Sequence, residues 1–171
     1  MKKLFYLLLF IAILPAAGMA QSNWVTKKID NTLAVKFPSA PEKTMTAGGE
    51  VYITKEKDST QYSASFLDLK LLANLDSAAL APLKENKAFA DQLIKSIAAQ
   101  KPKYTFGDVT IGKWKTFTAY YTSAIDKTTN ATAFLKMIFI GSKLYSVTFK
   151  LPENLVTKNK EVFFNSVELL K

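Results

Sequence analysis

Residues 132–150 have the sequence TAFLKMIFIGSKLYSVTFK. Two runs rich in β-branched and aromatic residues, 132–140 and 143–150, lie on either side of Gly141-Ser142. A two-residue connection with glycine in first position is typical of a β-hairpin with a type II′ turn. The sequence therefore predicts two neighbouring antiparallel strands in the second half of the chain.

Alternation of apolar and polar residues predicts further strands on both sides of this hairpin. Leu33, Val35 and Phe37 alternate with Thr32, Ala34 and Lys36, which is the pattern of a half-buried strand. The same pattern and the neighbouring turn residues predict strands over 24–29, 50–55, 62–66, 104–111, 114–121 and 166–170. Strands 104–111 and 114–121 can pair as a hairpin through Gly112, and residues 126–130 are predicted to form a polar loop.

The apolar spacing changes to three and four residues after Asp76, which can cap a helix. Over 85–100 one stripe is apolar, and lysine and aspartate residues lie outside it, so this segment is predicted to be an amphipathic helix. The stripe consists of Phe89, Ala90, Leu93, Ile94 and Ile97. A shorter helix is predicted near 155–164, before the last strand.

These elements predict one α+β domain, with a mainly antiparallel sheet and helices packed on it. No repeat, low-complexity tract or proline-rich linker divides residues 21–171, so the domain should include all of them.

The first 20 residues have the layout of a signal peptide. Lys2 and Lys3 precede an apolar run over 4–14, and small residues precede an expected cleavage site between Ala20 and Gln21. The apolar run is shorter than the roughly 17–25 residues of a spanning helix; an uncleaved anchor over 4–20 is the alternative. The sequence predicts a mature protein that is soluble, periplasmic or secreted, and not membrane-spanning.

Several short motifs resemble the PsbP/Mog1-like proteins, in order and spacing along the whole mature chain. They are Trp24 followed by VKFPSAP at 35–41, LYSVTF at 144–149, and VFFNSV at 162–167. The resemblance implies an α/β/α sandwich, and a family of mostly non-catalytic accessory subunits, chaperones and transport helpers. It supplies no partner-binding residue that can be transferred to this chain.

The composition removes many kinds of chemistry. The sequence has no cysteine and no histidine, and all 23 basic residues are lysine. Disulfides, thiol nucleophiles, imidazole acid–base pairs and typical zinc sites are therefore excluded. An enzyme would depend on Asp, Glu, Lys, Ser, Thr and Tyr, and none of their known catalytic motifs is present. We expect no catalytic residue, no metal site and no cofactor.

The positive charge is concentrated in the second half of the chain. The formal net charge is +9, and residues 101–171 contain 11 lysines but only 5 acidic residues. The candidate anion-binding residues are Lys101, Lys103, Lys113 and Lys115, near Tyr104 and Trp114. The simpler interpretation is that these are solvated strand ends. The lack of arginine argues against a nucleic-acid partner.

Aromatic residues suggest a second candidate site. A pocket for a lipid or another apolar ligand is one interpretation, and an ordinary hydrophobic core is the other. The residues concerned are Trp24, Tyr120, Tyr121, Phe163 and Phe164.

The leading hypothesis is an exported, non-enzymatic accessory protein that binds another protein of the cell envelope through its sheet or its long helix. The alternatives are a small-ligand or lipid carrier that uses the aromatic residues, and a binder of anionic surfaces that uses the lysine-rich C-terminal half.

Overall fold

The computed structural model describes residues 24–46 and 49–171. The predicted leader, with its cleavage site between Ala20 and Gln21, lies outside the described residues. The strands of the described part are β1 (Val25–Lys28), β2 (Leu33–Phe37), β3 (Glu42–Thr46), β4 (Gly49–Lys55), β5 (Gln61–Asp68), β6 (Tyr104–Phe106), β7 (Thr110–Trp114), β8 (Phe117–Asp126), β9 (Thr132–Ile140), β10 (Lys143–Leu151) and β11 (Glu168–Leu169). Its helices are α1 (Leu69–Ala73), α2 (Ser77–Leu83), α3 (Lys87–Gln100) and α4 (Asn159–Asn165).

The strands form two sheets. The larger sheet has eight strands in the order β3-β4-β5-β10-β9-β8-β6, and β7 also pairs with β8. The smaller sheet has the order β1-β2-β11. Every pairing in both sheets is antiparallel. The predicted α+β fold with a mainly antiparallel sheet is confirmed.

The predicted hairpin through Gly141-Ser142 is formed by β9 and β10, and it lies at the centre of the larger sheet. Ile140 pairs with Lys143 across the two-residue loop. Gly141 has a φ of 61° whereas Ser142 does not have a positive φ, as a type II′ turn requires. On its other side, β10 pairs with β5 along eight residues.

The inner face of the larger sheet packs on the smaller sheet and α4. The core between them contains Phe37, Tyr62, Tyr145, Phe149 and Phe163, and none of these side chains is accessible to solvent. The aromatic rings meet mainly edge to face; for example, Tyr62 and Phe163 have centroids 5.1 Å apart. One outer layer of the sandwich is thus a small sheet together with a helix.

The outer face of the larger sheet packs on the other three helices. Tyr120, Phe139 and Leu144 on the sheet form one core with Leu80 of α2 and Ile94 of α3. The predicted apolar stripe of α3 faces this core, with Ala90 and Ile94 buried. α3 begins at Lys87, after the cap residue Asn86, close to the predicted start of the helix.

The structure divides the segment predicted as two strands, 104–111 and 114–121, at other residues: the first strand is interrupted after Phe106, and the turn follows Trp114. Phe106 pairs with Ala124 and Thr110 with Tyr121, so one extra residue lies between β6 and β7. This is a β-bulge. The turn to β8 is at Lys115, which has a φ of 53°, and Gly112 lies inside β7.

Two elements were not predicted from the sequence. β3 has five exposed residues at the edge of the sheet, so it has no apolar alternation. α1 has only five residues, and no residue of it is buried. Both lack the apolar periodicity on which the prediction depended.

Candidate binding face

The helices cover only part of the outer face of the larger sheet. Their core includes Tyr120 on β8, Met137 and Phe139 on β9, and Leu144 at the start of β10. The rest of this face, on β4, β5, β10 and the first half of β9, contributes only Ala133 to the buried apolar residues.

Four hydroxyl side chains form the middle of the uncovered area. Ser65 pairs with Ser146, and Ser63 pairs with Thr148, so the four residues form a block on β5 and β10. Ser146 also pairs with Met137, which places the block on the outer face. Within the described residues none of the four hydroxyls makes a hydrogen bond, so all four are available to a partner.

Aliphatic side chains border the hydroxyl block. Val51 and Ile53 lie on β4, beside Ser65 and Ser63. Leu135 lies on β9, beside Thr148. Leu67 follows along β5. These aliphatic residues are half-buried and belong to neither core. We call the eight residues the bare face: Val51, Ile53, Ser63, Ser65, Leu67, Leu135, Ser146 and Thr148.

Helix α1 stands at one end of the bare face. The side chain of Asp68 caps its first turn by accepting hydrogen bonds from two backbone N–H groups, and Asn74 ends it in the left-handed conformation. The N–H of Leu69 donates to the carbonyl of Ser142, which ties the helix to the central hairpin. The helix exposes Leu71 (82%) and Leu72 (61%), an unusual amount of apolar surface for one turn.

An ion pair lies at the opposite end of the sheet. The Lys150 Nζ is 2.5 Å from Asp126 Oδ2 and 3.1 Å from the Tyr104 hydroxyl. The hydrogen bonds from Lys150 and Thr128 hold the pKa of Asp126 well below its usual range. Burial opposes the charge of Lys150, but its hydrogen bonds to Asp126 and Tyr104 raise its pKa. Both groups therefore stay charged at neutral pH.

A second ion pair belongs to the framework of the fold. Asp30 accepts hydrogen bonds from Lys143 Nζ (2.6 Å), the Tyr145 hydroxyl (2.7 Å) and two backbone N–H groups after it. Burial alone would raise the pKa of Asp30, but these hydrogen bonds lower it. The pair joins the β1–β2 turn to β10 and thus the two sheets.

The structure does not bring the four candidate lysines together. Lys113 forms an ion pair with Glu85 (2.6 Å), and the Lys115 Nζ lies 5.2 Å from the ring centroid of Trp114. Lys101 follows α3, and Lys103 precedes β6, near the other end of β8. Thr118, which pairs with Lys113, and Asp126, which pairs with Tyr104, are eight positions apart on β8, a distance of about 26 Å.

The candidate aromatic residues lie on both faces of the sheet. On the inner face Phe163 contacts both Trp24 and Phe164, with ring centroids 6.3 Å and 6.0 Å apart. Tyr121 packs against the same core. Tyr120 lies on the outer face, where its hydroxyl donates to the carbonyl of Lys84 (2.8 Å) and burial raises its pKa to about 12.

A shallow cleft of about 390 Å³ lies between α3 and the β6–β7 bulge. Its apolar floor includes Ile94 and Val109, and Lys95 and Asp108 also line it. The bulge positions Asp108 beside the helix, which the prediction of one continuous strand did not anticipate.

The sequence interpretation also missed a buried lysine. Lys136 on β9 is only 7% exposed and donates a hydrogen bond to the carbonyl of Phe164 at the end of α4 (2.9 Å). Burial lowers the pKa of its ammonium group. The sequence does contain a signal for this residue, because Lys136 is the one charged residue in the apolar run FLKMIF, residues 134–139.

Two other features are absent from the described ranges, a membrane-spanning helix and a cluster of metal-binding side chains. No helix within 24–46 and 49–171 is long and apolar enough to cross a membrane. The same residues contain no group of three or more acidic side chains that is arranged to hold a metal ion.

Comparison with solved structures supports the fold. The chain is similar to cyanobacterial PsbP (CyanoP) from Synechocystis sp. PCC 6803, with a TM-score of 0.58 at 11% identity, over 92% of this chain and 99% of that chain. A protein from Bacteroides thetaiotaomicron VPI-5482 has a TM-score of 0.49 at 15% identity, over 85% of this chain and 48% of that chain. No family model and no curated protein matches the sequence. The predicted PsbP-like fold is thus confirmed, and at this identity the likeness concerns the fold alone.

Proposed function

We propose that this is an exported, non-enzymatic accessory protein that binds another protein of the cell envelope through the bare face. The observation that carries the proposal is the incomplete helical layer. In the part of the chain that the structure describes, four half-buried aliphatic residues and four hydroxyls without a hydrogen-bond partner lie side by side on strands that pair on both sides. A rigid surface that is partly apolar and partly hydrogen-bonding is suited to protein recognition.

Two further observations support the proposal. The sequence lacks the side chains that most catalytic sites use, since it has neither histidine nor cysteine. Its signal-like leader, residues 1–20, would direct the chain out of the cytoplasm. In the exported protein residues 21–171 would remain, either in the periplasm or outside the cell.

The test is affinity purification of the tagged protein from the envelope fraction of its own host, at low and at high salt. We expect one stoichiometric protein partner that remains bound at high salt, because contacts on the bare face are mainly uncharged. A partner lost at high salt would favour the anionic-surface alternative, which depends on screened charges. The absence of any partner at both salt concentrations would contradict the proposal.

Mass spectrometry of the same purified protein tests the other parts of the proposal. Cleavage after Ala20 should give an N-terminus at Gln21, and an intact leader would contradict export by this route. Under native conditions we expect the mass of the polypeptide without a bound small molecule. A stoichiometric added mass would support the ligand-carrier alternative.

A further inference from the structure

We propose that the end of the larger sheet that carries α1 rests on the surface of a phospholipid bilayer with anionic headgroups and inserts Leu71 and Leu72 into it. This inference goes beyond the proposed function and does not depend on it, because neither leucine belongs to the bare face. The relevant juxtaposition is two exposed leucines in line with a half-buried aromatic pair, with exposed lysines beside both.

The strand register places α1 and two hairpin turns at the same end of the sheet. The β8–β9 register, continued by two residues, places Phe117 beside Ile140. Across β5, β10, β9, β8 and β7 the pairings thus make one row, which consists of Asp68, Lys143, Ile140, Phe117 and Trp114. Directly beyond this row lie α1, the β9–β10 turn and the β7–β8 turn. With strands about 4.8 Å apart, the row is about 19 Å wide.

The side chains at this end have the layout of a membrane-contact surface. Leu71 and Leu72 are 82% and 61% exposed, so they protrude from the protein. At the other end of the row Trp114 and Phe117 are half-buried and stacked, with ring centroids 6.2 Å apart. In proteins that bind at a membrane interface, aliphatic side chains enter the acyl region and tryptophan lies at the level of the headgroups.

The backbone of α1 is suited to an apolar medium because both of its ends are hydrogen-bonded within the protein. The side chain of Asp68 accepts hydrogen bonds from the first turn, and the N–H of Leu69 donates to the carbonyl of Ser142 (2.9 Å). At the other end the N–H of Asn74 donates to the carbonyl of Lys70 (3.1 Å). Since backbone groups without partners are costly in lipid, these bonds allow the helix to carry its leucines into the bilayer.

The charges at this end favour anionic headgroups. In the part of the chain that the structure describes, Lys70 on α1 and Lys115 on the β7–β8 turn are exposed and form no ion pair. The nearby acidic side chains are already hydrogen-bonded within the protein; these are Asp30, Glu50, Asp68, Asp76 and Glu85. The two lysines can therefore extend to lipid phosphates beside the inserted leucines.

The small size of the apolar surface favours a bilayer over a protein partner. Two leucines cannot supply the roughly 800 Å² that each member of a stable protein pair buries. A bilayer does not require such an area, because each inserted apolar side chain and each headgroup contact contributes to binding by itself. A fluid bilayer also accepts protruding side chains without a matching pocket. We therefore expect weak and reversible binding.

The first test measures binding of the exported protein to vesicles of phosphatidylcholine and phosphatidylglycerol in equal parts, by co-flotation. One variant combines Leu71→Ser with Leu72→Ser, and the control is Val156→Ser, a 95% exposed apolar residue beyond the opposite end of β10. All proteins are isolated from the same host in the same form. The double variant should lower the partition coefficient by about tenfold or more, whereas the control should leave it unchanged.

The second test locates the contact with a fluorescent label. Because the sequence has no cysteine, Leu71→Cys and Val156→Cys each create a single attachment point for the environment-sensitive dye NBD. When vesicles are added, the dye at position 71 should become brighter and emit at shorter wavelength, because it enters an apolar medium. The dye at position 156 should not respond.

Several results would overturn the inference. They are the absence of wild-type binding to these vesicles, equal binding by the folded double variant, and an equal response of the dye at both positions. Binding that is lost in high salt and does not depend on the leucines would assign the contact to the lysines alone. Loss of a co-purified protein from the double variant, without vesicle binding by the wild type, would indicate a protein contact. None of these results bears on the bare face, so the proposed function is tested separately.

Discussion

Strand β10 has two very different sides. On the inner side Tyr145, Val147 and Phe149 are completely buried. On the outer side the intervening Ser146 and Thr148 are only half-buried. Because side chains alternate along a strand, one segment can stabilise the fold with one side and leave the other free for recognition. Stability and the proposed binding should therefore be separable by mutation.

The largest difference in stability should appear when one apolar residue is truncated on the inner side of the larger sheet and one on its outer side. Phe163→Ala removes a fully buried ring that packs on Trp24, Phe37 and Tyr62, so the free energy of unfolding should fall by about 3–5 kcal/mol. Leu135→Ala, on the bare face, should cost less than about 1.5 kcal/mol because its side chain is only half-buried in the folded protein. Urea unfolding of both variants measures the difference, and equal losses would refute the distinction.

Asp30→Asn should weaken the connection between the two sheets. Loss of the charged hydrogen bonds to Lys143 and Tyr145 should cost about 2–3 kcal/mol at pH 7. Because the folded-state pKa of Asp30 is lowered, its contribution is present above about pH 4 and disappears as the pH falls through the folded-state value. The variant and the wild type should therefore converge in acid, as followed by urea unfolding from pH 7 to pH 2. If the difference in the free energy of unfolding between the two proteins stayed constant from pH 7 to pH 2, the ionisation of Asp30 would not contribute to stability.

Tyr120→Phe tests the covered half of the outer face. The hydroxyl of Tyr120 donates to the carbonyl of Lys84, so its loss should cost about 1 kcal/mol at pH 7. Its folded-state pKa is raised to about 12, so the wild type loses stability as the pH rises above about 10, the unfolded-state value. The Phe variant lacks this loss and should become the more stable protein near pH 11. Unfolding curves at pH 7, 9 and 11 check the reversal, which would be absent if the hydroxyl were solvated.

Lys113→Gln should have the smallest effect. Its ion pair with Glu85 is about half exposed on both sides, so its removal should change the free energy of unfolding by no more than about 0.5 kcal/mol. Thermal unfolding at low and at high salt is sufficient to measure this. A loss above 1 kcal/mol would indicate that the lysine-rich end contributes more to the fold than its exposure indicates.

The sequence predicted the parts of the fold that depend on local patterns. The Gly141-Ser142 hairpin and the stripe of α3 followed from turn chemistry and apolar spacing. β3 and α1 were missed because an exposed edge strand and a five-residue helix leave little periodic signal. The bulge at 107–109 is defined by how β6 and β7 pair with β8. The alternation of apolar and polar residues within one strand gives no information about that pairing.

The bare face was beyond prediction for a different reason. Ser63-Ala64-Ser65 and Ser146-Val147-Thr148 each show alternating small hydroxyls in the sequence. Their meeting depends on the pairing of β5 with β10, and their exposure depends on where the helices end. Both are long-range properties of the fold. The predicted lysine site is instead divided between the two ends of β8, and Tyr120 lies on the opposite face of the sheet from the other four predicted aromatic residues.

The most direct test of the bare face measures how much partner co-purifies with each of two variants that gain a carboxylate. Ser146→Glu places a carboxylate in the middle of the bare face, and Thr110→Glu places the same charge at an exposed position on β7. Both variants are purified from the envelope fraction, and their melting temperatures are compared to establish that they are folded. We predict that Ser146→Glu loses at least nine-tenths of the co-purified partner whereas Thr110→Glu retains it. Equal retention by two folded variants would contradict the assignment of the bare face as the binding surface.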